Sequence, residues 1–228
     1  MNKIQIKVEV VSDVVCPWCF IGKRRMEKAM AALGSDYEFT VSFSPFELNP
    51  HMPREGRNQK EYLAAKFGDE ARYAQITQHV AGVAADEGLQ FDFANQHVSP
   101  NTFDAHRLIW LAAREGVQPA VKEALMSAYF EKGIDLSRQK NLVQVAASAG
   151  LDRTKAMALL NSQEGVEEVR QAQQRNYQRK ISGVPFFIIN DQYGLSGAQP
   201  TQVFIQAFTE IGKEVSAKAA ACDVDNKC

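Results

Sequence analysis

Cys16-Pro17-Trp18-Cys19 places two thiols close together between an apolar run and a helical pattern. Such a pair can cycle between dithiol and disulfide, one sulfur attacking a foreign disulfide and the other resolving the mixed species. Phe20, Ile21, Arg24, Met26, Ala29, Met30 and Leu33 recur at helical spacing until Gly34. Cys16 therefore falls at the N-cap and Pro17 at the first helical position, where a missing N–H costs nothing. A thiolate there accepts hydrogen bonds from unpaired helix N–H groups and meets the positive end of the helix dipole. Cysteines so placed have pKa values of roughly 3.5 to 7.5, against about 8.5 for a free thiol. Cys16 is thus the expected nucleophile and Cys19, one turn further in, the resolving thiol.

The competing chemistry for a Cys-x-x-Cys pair is half of a zinc site, which needs a second compact ligand pair. Cys222 and Cys228 lie apart in a polar stretch, and His51, His79, His97 and His106 are scattered without zinc-module spacing. No metal is expected. A formal charge of −1 and a pI near 6.4 give no basic footprint for nucleic acid. Arg170 to Lys180, the most basic stretch, reads as a solvated helix face. No run of about eighteen apolar residues exists to span a membrane. Lys7, Glu9 and Asp13 interrupt the N-terminal apolar stretch before any cleavage signal, so the expected location is the cytoplasm. A structural disulfide is unusual there, which adds weight to a catalytic pair.

The elements around the dithiol follow from periodicity. Ile4, Ile6, Val8 and Val10, with Val11 on the other parity, form a first strand; Phe39, Val41, Phe43 and Phe46 mark a second, closed by Pro45, Pro50 and Pro53. From about Asn58 to Lys180 the pattern is helical. Its stripes are Tyr73/Ile76/Val80/Val83, Ala105/Leu108/Ile109/Ala112, Val121/Leu125/Tyr129 and Leu142/Val145/Ala149. Strand chemistry returns at Val184 to Asn190 and Tyr193 to Ser196, before a last helix from about Pro200 to Ile211. The expected class is α/β: residues 1–48 and 181–212 form a split sheet domain, 49–180 a helical insertion, and 213–228 a flexible tail.

Cys16-Pro17-Trp18-Cys19 at the first helix, the helical insertion, and Gly183-Val184-Pro185-Phe186 at the return to the sheet together resemble the DsbA family of thioredoxin-fold disulfide oxidoreductases. Ser12-Asp13 through Lys23, Pro100 to Arg107, and Ser196-Gly197-Ala198-Gln199 make the likeness strongest to its FrnE-type cytoplasmic branch. The resemblance spans roughly residues 4 to 212. It implies a thioredoxin-like fold with an all-α domain between its halves, and disulfide reduction or isomerisation on protein disulfides, in settings of oxidative stress. It also implies that Pro185 is cis and faces the dithiol. Sequence alone favours trans, since only about 5 to 6% of X–Pro bonds in folded proteins are cis. The backbone of Val184 would then pair with an extended substrate chain by strand addition. Unfolded or disulfide-containing proteins are the implied partners; no cofactor is required, and glutathione or a thioredoxin system could recycle the site.

Other residues carry two readings each. Asp13 could tune the thiolate or relay protons to Cys19, or could be a turn residue at a strand end. Lys23 and Arg24 could favour a thiolate or form a solvated face. Trp18 offers apolar surface to a substrate and could influence redox poise. His106 could titrate near neutrality, or could sit at the edge of an apolar stripe behind an Asn101 cap and Asp104. Cys222 and Cys228 could be an auxiliary redox pair delivered to the dithiol by a mobile tail, or incidental exposed thiols. Two rival functions remain. One is a glutathione-dependent enzyme of the kappa transferase or hydroxychromene-carboxylate isomerase type, which typically has serine at the position of Cys16. The other is a holdase-like chaperone.

Overall fold

A computed structural model describes the backbone of residues 3–225 and the side chains through residue 218. β1 (Ile4–Ser12), α1 (Pro17–Leu33) and β2 (Tyr37–Pro45) open the fold: β1 and β2 run parallel, which a helical crossover permits. A short ribbon of β3 (Arg57–Asn58) and β4 (Val98–Ser99) brackets α2 (Gln59–Phe67) and α3 (Glu70–Asp86). Then come α4 (Phe103–Arg114), α5 (Gln118–Phe130), α6 (Gln139–Ser148), α7 (Arg153–Leu160) and α8 (Val166–Gln178). The chain returns to the sheet as β5 (Phe186–Ile189) and β6 (Tyr193–Ser196), both antiparallel to their neighbours, and ends in α9 (Thr201–Asp225). Strand order is β2-β1-β5-β6. The architecture is the expected α/β thioredoxin-like one, with helices inserted between the two halves.

Strand parity decides which face each residue covers. Ile6, Val8 and Val10 join the main core, while Val11, on the opposite face, packs with Ile181 and Ile188. The helical stripes point inward as their spacing requires: Leu108, Ala112, Val121, Leu125 and Leu142 are all at most 2% exposed. These residues share one continuous core with the sheet, so α4 to α6 are pinned to the sheet that carries the dithiol. Gln118 of α5 adds a polar clamp. Its side chain accepts from the Phe43 N–H at 3.0 Å and donates to the Phe43 carbonyl at 3.1 Å, pairing the free edge of β2.

One expectation is corrected here. The last helix was expected to stop at Ile211 before a flexible tail, but α9 continues to Asp225. Gly212 is not a stop signal. A Cβ at that position would meet the Tyr37 ring at 2.7 Å, so glycine is required for the close approach of α9 to β2. Beyond it, Lys213 to Ala221 is a run of mostly good helix formers without a breaker. Phe204 and Phe208 hold the helix on the sheet, edge-to-face with Phe187 at 4.8 Å and tilted against Phe39 at 5.0 Å. The side chain of Cys222, and Cys228 altogether, lie outside the described residues.

Candidate active site

The dithiol sits where β1 ends and α1 begins. Cys16 has extended backbone (φ −93°, ψ 110°) at the N-cap and Pro17 opens the helix. Asp13 closes the turn between strand and helix, its carbonyl accepting from the Cys16 N–H at 3.4 Å. Both cysteines are reduced and buried, Cys16 at 3% and Cys19 at 1% exposure. Burial raises the Cys19 thiol well above its ordinary range, and the neighbouring Cys16 raises it further. Cys19 thus holds its proton while Cys16 occupies the helix N-terminus, a division of labour that matches attack by one sulfur and later resolution by the other.

The Val184–Pro185 bond is cis. The Val184 carbonyl lies 3.6 Å from Cys16 Sγ, which donates to it. Among the described residues the Val184 N–H has no hydrogen-bond partner. Pro185 is buried against α1, and Gly22 makes this possible: a Cβ there would lie 3.1 Å from Pro185 Cγ and 3.2 Å from Phe187 Cζ. The α1 helix therefore closes onto the proline loop at its only residue without a side chain in the first two turns. Trp18 is half-buried, its ring 6.3 Å from that of His79, and together with Cys16 and Val184 it borders an apolar cavity of about 370 Å³.

Near the sulfurs lies a buried polar group that the sequence reading resolved only in part. Asp13 is fully buried. Its carboxylate accepts from the N–H of Val14 at 2.7 Å and of Leu48 at 2.8 Å, and lies 3.3 Å from His106 Nε2. Burial alone would raise this carboxyl, but His106, the Leu48 N–H and the charge of Lys122 outweigh it and hold Asp13 below its ordinary value. His106, 3% exposed, also lies 3.0 Å from the Phe46 carbonyl, so it ties the end of β2 to Asp13. Its place is next to the site rather than merely at the edge of a stripe.

Lys122 was not singled out from the sequence. It is 1% exposed, burial lowers its pKa, and the charges of Cys19, Asp13 and Cys16 oppose that lowering. The signal was present: Lys122 stands three, four and seven positions before Leu125, Met126 and Tyr129, all buried, so it lies on the inward face of α5. Its cation lowers the Cys19 thiol against the larger effect of burial. Gln118, one turn earlier on α5, clamps the same helix to β2.

Three other residues named from the sequence have different places. Lys23, 4% exposed, pairs with Glu27 at 2.6 Å and Glu123 at 2.5 Å, and Arg24 with the same two carboxylates at 3.0 and 2.6 Å. They fasten α1 to α5 and are not a solvated face. Asn101 does not cap α4 directly. Thr102 occupies the cap position, while Asn101 accepts from the Phe103 N–H at 2.9 Å and donates to the Met52 carbonyl at 2.8 Å.

Comparison with known proteins agrees with this geometry. The chain is 27% identical over 222 residues to the uncharacterised protein YwbO of Bacillus subtilis, covering 92% of this chain and 98% of that one. Among solved structures, a probable DsbA oxidoreductase of Streptomyces coelicolor superposes with a TM-score of 0.84 at 35% identity, covering 90% of this chain and 89% of that one. A cytosolic disulfide reductase, DsbM of Pseudomonas aeruginosa, solved with GSH, shares the fold at a TM-score of 0.63 and 14% identity, over 90% and 98% of the two chains. Residues 7–209, from the first strand through the dithiol and the cis-proline loop to the final helix, match the DSBA-like thioredoxin domain, and the chain belongs to that family.

Proposed function

We propose that this protein is a thiol-disulfide oxidoreductase that reduces or isomerises protein disulfides through Cys16 and Cys19. The observation that carries the reading is the meeting of a helix-start cysteine with a cis-proline loop: Cys16 Sγ lies 3.6 Å from the Val184 carbonyl, beside a Val184 N–H that has no partner among the described residues. An extended segment pairing with the Val184 backbone brings its own sulfur to Cys16. The Cys16 thiolate attacks that sulfur, the old S–S bond breaks, and a substrate thiolate leaves. Cys19 then loses its proton and displaces the second substrate thiol, leaving a Cys16–Cys19 disulfide. Lys122 and Asp13 act through Cys19 as positioning groups for this second step.

The setting of this reading is the cytoplasm, in the FrnE-like manner, where the net direction is reductive. Among the described residues no helix is long and apolar enough to cross a membrane. Glutathione is the recycling thiol proposed for the oxidised pair, a role in keeping with the GSH present in the DsbM structure. The test is reduction of insulin by dithiothreitol. The wild type is expected to accelerate it and Cys16→Ala to fall to the uncatalysed rate; equal rates for the two proteins would remove Cys16 from the mechanism.

A further inference from the structure

A second and larger cavity, of about 810 Å³, lies among α4, α6, α8 and the loop that follows β2, and neither Cys16 nor Cys19 lines it. Its volume is within the range of sites that enclose a small molecule. Two chain segments separate it from the cavity beside the dithiol, and their residues divide between the two. Glu47, Pro50, Asn101 and Phe103 line the larger cavity, while Leu48, Asn49, Pro100 and Thr102 line the other.

Charge sets this cavity apart. Arg54 of the loop after β2, Arg138 at the cap of α6 and Arg170 of α8 line it from three separate elements, and all three are exposed. Among the described residues neither Arg54 nor Arg170 has a carboxylate within ion-pairing distance, and Arg138 meets Asp135 through Nε alone, at 3.3 Å, which leaves its two terminal nitrogens free. The Arg170 guanidinium lies 5.8 Å over the Phe103 ring, which holds it at the cavity wall. The opposing charge is mostly engaged. Asp104 pairs with the buried Arg107 at 2.9 Å, and Glu47 accepts from Gln173 at 2.9 Å while its other oxygen is enclosed, so Glu55 is the one carboxylate of the lining left without a partner among the described residues.

A cleft lined by one sign of charge focuses its field and concentrates counter-ions. The first turn of α6, which begins at Gln139 on the cavity wall, has no side-chain cap and no acidic residue, so its positive end adds to that field. The whole chain carries a formal charge of −1, so the attraction is confined to this cleft and favours a molecule small enough to be enclosed by it over a long polyanion. Leu136, Leu142 and Val166 give such a molecule apolar wall. We propose that this cavity binds a small organic anion with two or more carboxylate or phosphate groups, held by Arg54, Arg138 and Arg170. A guanidinium fork takes either group in the same bidentate way. The site is distinct from the dithiol and takes no part in the exchange steps.

The test is titration calorimetry on the full-length reduced protein at low ionic strength, with citrate, ADP and, as the uncharged counterpart of ADP, adenosine. Saturable binding of citrate or ADP and none of adenosine is expected, and the tighter of the two anions tells whether carboxylate or phosphate is the preferred group. Arg54→Ala, Arg138→Ala and Arg170→Ala should each weaken that binding roughly tenfold, the worth of one charge-assisted hydrogen bond, and Arg54→Lys, which keeps the charge, should lose less. Cys16→Ala should bind as the wild type does. No saturable heat with either anion would overturn the proposal, as would equal binding of ADP and adenosine or an affinity unchanged in all three alanine variants. Loss of binding in Cys16→Ala with the arginine variants unaffected would overturn it in favour of anion binding at the dithiol.

Discussion

Cys16 and Cys19 are one helical turn apart, yet their surroundings assign them different work. Cys16 faces the Val184 carbonyl and an apolar cavity, while Cys19 is enclosed near Lys122 and Asp13. The sign of the Lys122 effect gives a prediction. Burial raises the Cys19 thiol and the Lys122 cation lowers it, so Lys122→Met leaves less Cys19 thiolate at any given pH. Resolution of the mixed disulfide should slow near neutrality and its pH profile move to higher pH, while the first attack by Cys16 changes less. Rapid acid quench and counting of the mixed disulfide check this; a profile that coincides with the wild type would show that Lys122 has no hold on Cys19. The dithiol was legible in the sequence because its chemistry is local: two thiols at a helix start declare themselves by spacing. Lys122 was harder to read because its partners come from β1 and α1, about a hundred residues away, and only the fold brings them together.

At the scale of elements, strand parity and helical stripes were readable because each is set by a period within one segment. Gly22 and Gly212 were not. Each looks like an ordinary glycine in a helix and shows its reason only against a neighbour, Pro185 for the first and Tyr37 for the second. The second of these changes the account of the C-terminal cysteines. Tyr37 pairs with Ile4 at the end of the sheet opposite the dithiol, about 26 Å along β1 at the usual rise per residue. From Gly212, beside Tyr37, α9 continues for another ten residues to Cys222, a further 15 Å or about that much of helix. The helix carries Cys222 away from the site of its own molecule. A Cys222→Ala/Cys228→Ala double variant is therefore expected to keep the wild-type rate of insulin reduction. A loss comparable to that of Cys16→Ala would instead establish these thiols as a relay.

Across the whole molecule, one core joins sheet and helices, and the buried polar group near the dithiol stands at their junction: Asp13 from β1's end, His106 from α4, Lys122 from α5. Site and stability are thereby coupled. Asp13 is held below its ordinary value of 3.8, so its contribution to stability is present above that value and is lost as pH falls through the lower folded one. In urea unfolding, the wild type should exceed Asp13→Asn by a margin that is largest above about pH 5 and shrinks below the ordinary carboxyl range. A margin that does not vary with pH would mean that the anion is not what Asp13 contributes. The α/β class was legible from the order of patterns, strand-helix-strand before the helices and strand-strand-helix after them. The shared core was not, because burial between distant segments leaves no period along the chain.

The central claim is that Cys16 makes the covalent bond to substrate and Cys19 breaks it. Its most direct test is trapping: Cys19→Ala protein is mixed with a disulfide-linked peptide dimer, and the product is mapped by mass spectrometry without reductant. One peptide should be found on Cys16, stable because the resolving thiol is gone, and none should be found in the Cys16→Ala/Cys19→Ala protein at that segment. Absence of an adduct on Cys16, with the peptide attached at another cysteine or unreacted, would contradict the mechanism.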